Sequence, residues 1–277
     1  MQYDPIKRSL GAVFNNSVLL RILFYKLLDL LLLRTWHIKK AIRKWTKNNS
    51  TQVEILDAGS GFGQYSYYLS KKKNRQVTGI DVKEEQIEDC NKFFKKAGKS
   101  NAKFFVGDLT KYSESDYFDL IISVDVMEHI EDDVQVFKNF FISLKKHGML
   151  LISTPSDQGG SDVHDHDHES FIDEHVRDGY NIDEIQEKLR NAGFNRTEAR
   201  YNYGCPGKIS WKLSMKYPIK LLNISKIFFI VLPFYYLIIF PFCLIMNYFD
   251  LIIKHKSGTG LLVKAWKEGK MLETANC

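Results

Sequence analysis

The sequence predicts an α/β protein in which a mostly parallel sheet is covered by helices on both faces. Short apolar segments alternate with helical segments of roughly 10–15 residues, the pattern of strand–helix–strand units. Most of these strand-like segments are apolar along their length, which is typical of strands buried on both faces of a sheet. The predicted strands are residues 53–57, 76–81, 103–106, 118–124, 149–153 and 194–203.

Four helical segments fall between these strands. The last of them ends at Gly193, and glycine commonly terminates helices because it adopts left-handed backbone angles without strain. The predicted helices are residues 65–72, 84–97, 132–145 and 182–192.

The N-terminal region, residues 16–45, is predicted to form a further helix. Leucines recur three and four positions apart from Leu19 to Leu31, with charged residues between them. These charges interrupt the apolar run too often for a membrane-spanning helix. We expect the helix to pack on the α/β domain, so that residues 1–48 form a cap over a binding cleft. The alternative is a helix that lies on a bilayer surface.

The composition is that of an ordinary globular protein. Hydrophobic residues make up 44% and charged residues 26% of the 277, which excludes disordered and collagen-like classes. The formal net charge is +6, and lysines cluster beside apolar stretches, which favours a membrane lipid surface over nucleic acid as the partner. The four cysteines lack the spacing of a zinc site or disulfide framework, and the N-terminus lacks the pattern of a secretory signal. We therefore expect the domain to stay inside the cell.

A glycine-rich turn follows the first predicted strand. Residues 55–63 read ILDAGSGFG, a strand that leads directly into three alternating glycines and then a helix. Glycines allow tight or positive-φ geometry and let a ligand approach the main chain. The GxGxG spacing differs from the GxGxxG of dinucleotide binders, and no GK[ST] follows as in nucleotide phosphate loops. Taken alone, the turn also fits a purely structural connection.

Acidic residues stand at the ends of the next strands. Asp81 ends the second strand, where its carboxylate can accept both hydroxyls of a ribose, and Asp108 follows the third, where it and its neighbouring amides offer partners to an adenine. The fourth strand, residues 118–124, reaches the same edge. Because ligands of open α/β sheets bind outside the carboxyl ends of the strands, these features describe one binding site.

This set of motifs resembles class I S-adenosylmethionine-dependent methyltransferases, including type 11 and ubiquinone-biosynthesis O-methyltransferases. The resemblance covers about residues 49–194 and is carried by ILDAGSGFG, VTGID, FFVGDL, YFDLIISVDVMEHIEDD and LKKHGMLLISTPS. It implies a Rossmann-like fold with a seven-stranded sheet, and S-adenosyl-L-methionine as the cofactor. The implied cofactor-binding residues are Asp57, Gly59, Ser60, Gly61 and Gly63 for the methionine part, Asp81 for the ribose, Asp108 with Leu109 for the adenine, and Val82 and Val124 beside them.

His129 is the candidate catalytic base. Methyl transfer from a sulfonium is an in-line displacement, so the enzyme must hold the nucleophile and the methyl carbon in line and exclude water. A hydroxyl acceptor must also lose its proton, and His129 follows the fourth strand with a side-chain type that titrates near neutral pH. The alternative is a structural histidine, because the Glu-His pair recurs in this family among enzymes with different acceptors.

A divalent metal is a further expectation. Asp125, Glu128 and His129 are spaced i, i+3 and i+4, so they share one face of a helical turn and combine ligand types that bind divalent metals. Ubiquinone-biosynthesis O-methyltransferases carry a similar segment, and this resemblance implies a metal that orients a catechol-like acceptor. Acidic residues that cap helices or face solvent are the alternative.

A histidine-rich loop follows the fifth strand, over residues 155–174. In this family that loop overhangs the acceptor pocket, so we expect it to line the pocket. A metal site within the loop and a simply solvated loop are the alternatives. The candidate pocket residues are His164, His166, His168 and His175.

An apolar insertion precedes the C-terminus. Residues 227–249 carry no charge, and 23 positions suffice to span a bilayer, although Pro233 and Pro241 interrupt the run. Residues 258–267 resemble the last strand of these methyltransferases, and a single crossing would leave that strand on the wrong side of the membrane. We therefore predict that the insertion enters and leaves from one face, as a re-entrant or monotopic helical pair. A dimer interface or a buried subdomain is the alternative.

These expectations together predict three regions and one function. A cap (residues 1–48) and a membrane-associating insertion (205–257) flank a catalytic domain made of residues 49–204 and 258–270. We expect a methyltransferase at the cytoplasmic face of a membrane, acting on the oxygen of a lipid or lipid-linked acceptor of quinone or aryl type, by analogy with the quinone enzymes. The alternatives are N- or C-methylation of a lipid head group or polyketide-like chain, and a cofactor-binding membrane scaffold without catalysis.

Overall fold

One sheet of seven strands forms the centre of the protein. The computed structural model describes residues 17–46, 52–159, 176–225 and 227–268. The strands within these residues are β1 (Val53–Ala58), β2 (Arg75–Asp81), β3 (Ala102–Val106), β4 (Phe118–Val124), β5 (Leu144–Pro155), β6 (Arg196–Asn202) and β7 (Gly260–Trp266). Their order is β3-β2-β1-β4-β5-β7-β6, with β7 antiparallel to both neighbours and all other pairs parallel. The predicted Rossmann-like, mostly parallel sheet is confirmed.

Helices cover both faces of this sheet. On one face, Phe137 and Leu189 belong to a buried apolar cluster; on the other, Ile38 and Phe94 belong to a second cluster. Both clusters include strand residues, because the central strands are apolar on both sides. The helices are α1 (Val18–Leu31), α2 (Leu33–Thr46), α3 (Gln64–Leu69), α4 (Glu84–Lys96), α5 (Asp133–Ser143), α6 (Ile182–Asn191), α7 (Cys205–Trp211), α8 (Tyr217–Ile224) and α9 (Phe228–Ile252).

The predicted N-terminal helix is in fact two helices. Leu32 has extended backbone angles, φ −92° and ψ 110°, which end α1 and allow α2 to begin at Leu33 in a new direction. Helix α1 packs on α4 through Arg21 and Tyr25, whereas α2 contributes Ile42 to the cluster on the sheet. No glycine or proline stands at the break, so nothing local in the sequence indicates it.

The segment between β6 and β7 is a helical hairpin. Its first arm consists of α7, a π-helical turn (Lys212–Lys216) and α8, and its second arm is α9. The arms are bonded to each other; the Tyr235 hydroxyl, for example, donates to the Leu213 carbonyl at 2.7 Å. The chain leaves the sheet after Asn202 and returns at Gly260, which pairs with Asn202. The predicted helical insertion and the return of the last strand to the sheet are thus both present.

Helix α9 runs through both of its prolines. We expected Pro233 and Pro241 to interrupt the apolar segment, and this was wrong, because the structure has 25 continuous helical residues. A proline in a helix removes its own amide donor, but the turns on either side keep their hydrogen bonds. Among the described residues, Ile230–Ile252 is the helical stretch that is long and apolar enough to cross a membrane, with a mean hydropathy of 2.1, and only 11% of this stretch is buried.

A buried carboxylate joins the base of the hairpin to the cap. Asp250, near the end of α9, accepts hydrogen bonds from the amides of Gly204 at 2.8 Å and Gly207 at 3.1 Å, at the start of α7. His37 of α2 donates from Nε2 to Asp250 at 2.9 Å, and its Nδ1 accepts from Arg200 at 3.1 Å. Burial lowers the pKa of His37, which favours the neutral ring that this pair of bonds requires. Both arms, the cap and the edge strand β6 therefore meet at Asp250.

Candidate active site

The glycine-rich turn has the backbone geometry that its glycines allow. Gly59, Gly61 and Gly63 have φ values of 78°, 51° and 81°, in the left-handed region that favours glycine. At Gly59 a Cβ would also lie 2.2 Å from a methyl carbon of Val126, so a side chain is excluded on two grounds. The Gly59 amide donates to the Ile80 carbonyl at 2.8 Å, which holds the turn against the end of β2.

Asp81 lies directly beside this turn. One of its carboxylate oxygens accepts from the Gly61 amide at 2.9 Å, and the other accepts from the Lys83 amide at 3.0 Å. A carboxylate offers about four acceptor positions, so Asp81 can still accept two hydroxyls from a ligand. The sheet places Asp81 as predicted, at the carboxyl end of β2 and next to Val106 of β3.

Asp57 lies beneath the turn and is buried. The Ser66 hydroxyl of α3 donates to its carboxylate at 2.6 Å. Burial raises the pKa of Asp57 to about 6, an effect that the Ser66 hydrogen bond opposes and the charge of Asp81 reinforces. Asp57 therefore changes its charge close to neutral pH, directly below the glycine turn.

The remaining predicted cofactor residues lie along the same edge of the sheet. Asp108 accepts from the Thr110 hydroxyl at 2.7 Å and from its amide at 2.9 Å, and these bonds lower the pKa of Asp108. Val82 is 64% exposed beside Asp81, and Val124 ends β4 partly buried. The side chain of Leu109 packs in the apolar core, so the exposed groups here are the Asp108 carboxylate and Val82.

The cap holds the glycine turn from outside. Arg21 of α1 donates to the Phe62 carbonyl at 2.7 Å, and the Tyr25 hydroxyl donates to the same oxygen. Arg21 also forms an ion pair with Asp89 of α4 and stacks over Phe93, 4.5 Å from its ring centre. The sequence indicated a cap but not this contact, because Arg21 and Phe62 are 41 positions apart.

The second half of the site begins at the end of β4. Asp125 has a φ of 52° and forms an ion pair with Arg34, at the start of α2. The Arg34 amide donates to the Tyr203 hydroxyl at 3.1 Å, and the Tyr65 hydroxyl lies 3.3 Å from the Thr35 hydroxyl. No sequence motif pointed to Arg34, Tyr65 or Tyr203, because their neighbours in the structure come from distant parts of the chain.

Glu128 and His129 occupy a single 3-10 turn after β4 but have opposite environments. Glu128 is buried, and its carboxylate accepts from the Thr154 hydroxyl of β5 at 3.0 Å. Burial is the largest effect on Glu128 and raises its pKa. His129, the candidate base, is exposed at the end of the turn.

The structure does not support the predicted metal site. Among the residues that it describes, no group of three His, Cys, Asp or Glu side chains is placed to hold a metal ion. Asp125 is engaged by Arg34, Glu128 is directed inward to Thr154, and His129 faces solvent. The predicted i, i+3, i+4 face does not form, because Asp125 has left-handed backbone angles and lies outside the helical turn (Met127–His129).

The predicted acceptor-pocket histidines lie outside the described residues. They remain a sequence-based expectation: His164, His166, His168 and His175.

Comparison with known proteins identifies the family. The family model described as "Methyltransferase domain" matches residues 49–214, more than half of the chain. The chain belongs to the class I S-adenosylmethionine-dependent methyltransferases. Its catalytic sheet, glycine turn and acidic strand ends are those that the resemblance implied.

Curated relatives of this methyltransferase include enzymes with two different named activities. Phosphoethanolamine N-methyltransferase 1 of Zea mays is 31% identical over 148 residues, which are 53% of this chain and 29% of the relative. The ubiquinone biosynthesis O-methyltransferase of Rickettsia felis is 25% identical over 182 residues, which are 60% of this chain and 70% of the relative. The chain thus spans less than a third of the length of the plant enzyme.

Solved structures share the fold at low identity. Haemonchus contortus phosphoethanolamine N-methyltransferase 2, in complex with S-adenosyl-L-methionine, has a TM-score of 0.59 at 20% identity, covering 84% of this chain and 53% of that one. A putative sarcosine dimethylglycine methyltransferase from Galdieria sulphuraria has a TM-score of 0.54 at 18% identity, covering 84% of both chains.

The residues of the methyltransferase fit the cofactor. Ser60 Oγ in the glycine turn is buried without a hydrogen-bond partner in the protein, as expected of a group that pairs with a ligand. Asp81 retains acceptor positions for the ribose hydroxyls, and Val82 presents an apolar surface next to it. When bound, S-adenosylmethionine supplies an activated methyl carbon on a positively charged sulfur.

The residues of the chain would position the cofactor and provide the electrostatic environment for methyl transfer. The glycine turn, held by Asp81 on one side and by the cap on the other, provides a fixed backbone that would hold the cofactor. Ionised Asp57 favours a cation above it.

Proposed function

We propose that this methyltransferase acts at the cytoplasmic face of a membrane, on a lipid or lipid-linked acceptor of quinone or aryl type, and methylates an oxygen atom. The observation that carries the proposal is the exposed apolar surface of the hairpin. A core helix of a soluble protein is mostly buried, whereas only 11% of Ile230–Ile252 is buried. Such a surface marks an interaction with a partner or a membrane.

The exposed side chains follow one another along the whole of α9. Those that are at least half exposed on α9 and in the residue before it are Ile227, Ile230, Val231, Phe234, Leu237, Ile238, Ile245, Tyr248 and Ile252. They recur at helical spacing over a helix about 37 Å long. The first arm adds Ile224, 75% exposed, at the tip. Lysines occur on the first arm and again just after α9, so they flank α9 in sequence, as is common beside anionic lipid head groups.

The topology supports delivery of an acceptor from the bilayer. Strand β6 pairs antiparallel with β7, which pairs antiparallel with β5, so β6 runs in the same direction as the parallel strands. The hairpin therefore starts at the carboxyl edge of the sheet, the edge that also holds Asp57, Asp81 and Asp125. Because the hairpin enters and leaves from that edge, a monotopic attachment would bring a lipid surface next to the acceptor side of the site.

His129 remains the candidate for removing a hydroxyl proton. It follows β4, the strand whose end borders the acceptor side, and it is exposed, so solvent can receive the proton from it.

A second candidate is N-methylation of an amine on a head group. The phosphoethanolamine N-methyltransferases among the relatives support it. The two candidates differ in the atom that carries the new methyl group.

Co-sedimentation with vesicles of phosphatidylcholine and phosphatidylglycerol tests the membrane part of the proposal. We expect the full chain to sediment with the vesicles and the variant Phe234→Ser/Leu237→Ser/Ile238→Ser to lose most of this binding, because three apolar side chains leave the lipid phase. The matched control is Ile142→Ser, which changes an exposed apolar residue on α5 and should sediment like the wild type. Equal sedimentation of the triple variant and the wild type would refute attachment through the hairpin.

A further inference from the structure

Helix α1 directs two polar side chains toward the body of the protein and exposes most of its leucines to solvent. Arg21 and Tyr25 are 2% and 1% exposed and contact the body of the protein, whereas Leu19 is 78% exposed. Surface helices of globular proteins normally show the opposite arrangement. The exposed leucines, called here the leucine stripe, are Leu19, Leu20, Leu23, Leu27 and Leu30.

The leucine stripe is continuous and carries a positive neighbour. Apart from the adjacent Leu19 and Leu20, its members follow one another at three or four positions, so they share one face of a helix about 21 Å long. Lys26 is exposed on the same helix. The carboxylate of Asp29 is engaged by Lys39 and by the Gln64 amide, and no other acidic residue occurs in α1. An apolar stripe beside a cation is the pattern of a helix that lies in a membrane interface.

The cap that carries the stripe is attached to the base of the hairpin. A Cβ on Gly207 of α7 would lie 2.8 Å from a methyl carbon of Leu33, which begins α2. Lys40 donates to the Leu251 carbonyl at 2.8 Å, and His37 bonds to Asp250. The exposed apolar surfaces of α1 and α9 are therefore linked through α2, which follows α1 directly and contacts the end of α9.

We propose that the leucine stripe lies on the same bilayer as the hairpin, and that this contact strengthens cofactor binding through the Arg21–Phe62 contact. The proposal rests on the membrane attachment proposed above. The opposite side of α1 holds the glycine turn, because Arg21 and Tyr25 both donate to the Phe62 carbonyl. A bilayer that holds α1 in place also holds the turn in the geometry in which it binds the cofactor.

By thermodynamic linkage, this coupling between vesicle binding and cofactor binding must be reciprocal. If vesicles raise the affinity for the cofactor product, the product must raise the affinity for vesicles by the same factor. Couplings of this kind are typically fivefold or larger, so we expect at least a roughly fivefold change. The enzyme would then bind its cofactor most tightly where its acceptor resides.

Isothermal titration with S-adenosylhomocysteine, with and without vesicles of phosphatidylcholine and phosphatidylglycerol, tests the coupling. The wild type should bind about fivefold or more tightly with vesicles. The variant Leu23→Gln/Leu27→Gln should keep the wild-type affinity in solution and still sediment through the hairpin, but it should lose the vesicle-dependent gain. Ile142→Gln, on the other face of the protein, should behave as the wild type does.

A second measurement reports the position of the stripe directly. A Leu23→Cys variant, in a background with Cys205→Ser and Cys277→Ser, is labelled with an environment-sensitive fluorophore. We expect its emission to rise and shift to the blue when vesicles are added, because the label enters the lipid interface. This readout does not depend on the stability of the glutamine variant.

The outcomes separate this proposal from the proposed function. Wild-type protein that sediments without any gain in affinity, or a glutamine variant that keeps the full gain, overturns the coupling while leaving the membrane attachment intact. Wild-type protein that does not sediment overturns both. A concentration-dependent dimer that Leu23→Gln/Leu27→Gln dissociates would assign the stripe to a second copy of the chain and overturn the bilayer contact.

Discussion

The two halves of the carboxyl edge are built in different ways. On the cofactor side, each strand end carries its own functional group, and the closest contacts join residues near in sequence, such as Gly61 and Asp81, which are 20 positions apart. On the proposed acceptor side, the groups meet through more distant contacts, such as Arg34 with Asp125, 91 positions apart. The cofactor half is thus formed mainly by neighbouring strand ends, with one distant contact from Arg21 of the cap to Phe62, whereas the proposed acceptor half depends on the cap and the region around Tyr203 coming together.

This difference predicts how each half fails. Substitutions on the cofactor side should change ligand affinity and leave the fold intact. Substitutions at the base of the hairpin should change stability first, because several elements depend on one buried carboxylate.

Asp250→Ala is expected to destabilise the protein by about 3–5 kcal/mol, because each buried donor that is left without its acceptor costs about 1–3 kcal/mol. The change leaves the amides of Gly204 and Gly207 and the ring of His37 without their acceptor. Urea unfolding followed by circular dichroism measures the free energy of unfolding. Glu88→Ala, which breaks an exposed pair with Lys92, is the control and should leave stability unchanged. A loss below about 1 kcal/mol for Asp250→Ala would show that the hairpin does not depend on this contact.

Asp81→Ala is expected to weaken binding of S-adenosylhomocysteine by a factor of about 10–100, because hydrogen bonds to a charged group contribute about 1.5–3 kcal/mol. The change also removes the acceptor for the Gly61 and Lys83 amides. Isothermal titration measures the affinity, and a thermal melt shows that the fold is retained. Unaltered affinity would remove Asp81 from the cofactor site.

Asp57→Asn is expected to alter how the free energy of unfolding changes with pH. Between pH 4.5 and 7, that change should differ from the wild type by up to about 2 kcal/mol. The pKa of Asp57 is raised to about 6 by burial, so the folded state binds a proton more tightly than the unfolded state does. This carboxyl therefore costs the cofactor-free protein stability as the pH rises from about 4 to 6, and the asparagine variant should lack that cost. Unfolding free energies at pH 4.5 and 7 measure it.

Asp108→Asn is the control of opposite sign for this measurement. Hydrogen bonds from Thr110 lower the pKa of Asp108, so its contribution to stability is present above the unfolded pKa and is lost as the pH falls. A profile for Asp57→Asn that follows the wild type in parallel at all pH values would contradict the proposed ionisation.

Sequence reasoning succeeded where function depends on local geometry. The alternating strands, the positive-φ glycines and the acidic strand ends can each be inferred from a few neighbouring residues. It also placed the last strand in the sheet, because residues 258–267 resemble the last strand of these methyltransferases. From these features follow the fold, the family and the cofactor edge.

Sequence reasoning failed for features that depend on contacts between residues far apart in the chain. The break at Leu32 has no local signal, since it arises because α1 packs on α4 while α2 packs on the sheet. The metal trio was inferred from helical spacing, but the left-handed backbone at Asp125 and its ion pair with Arg34 separate the three side chains. Helix α9 is likewise continuous through both of its prolines, which the residues around each proline did not predict.

The central claim is that this methyltransferase transfers a methyl group to a membrane lipid or lipid-linked molecule. The most direct test incubates the full chain with membrane lipid extract and S-adenosylmethionine that carries an isotopically labelled methyl group, followed by mass spectrometry of the lipids. We predict one labelled methyl group on a lipid-soluble product, with fragmentation that places it on oxygen, and much less labelled product from the Asp81→Ala variant at the same cofactor concentration. Label that appears only in water-soluble molecules would contradict the account.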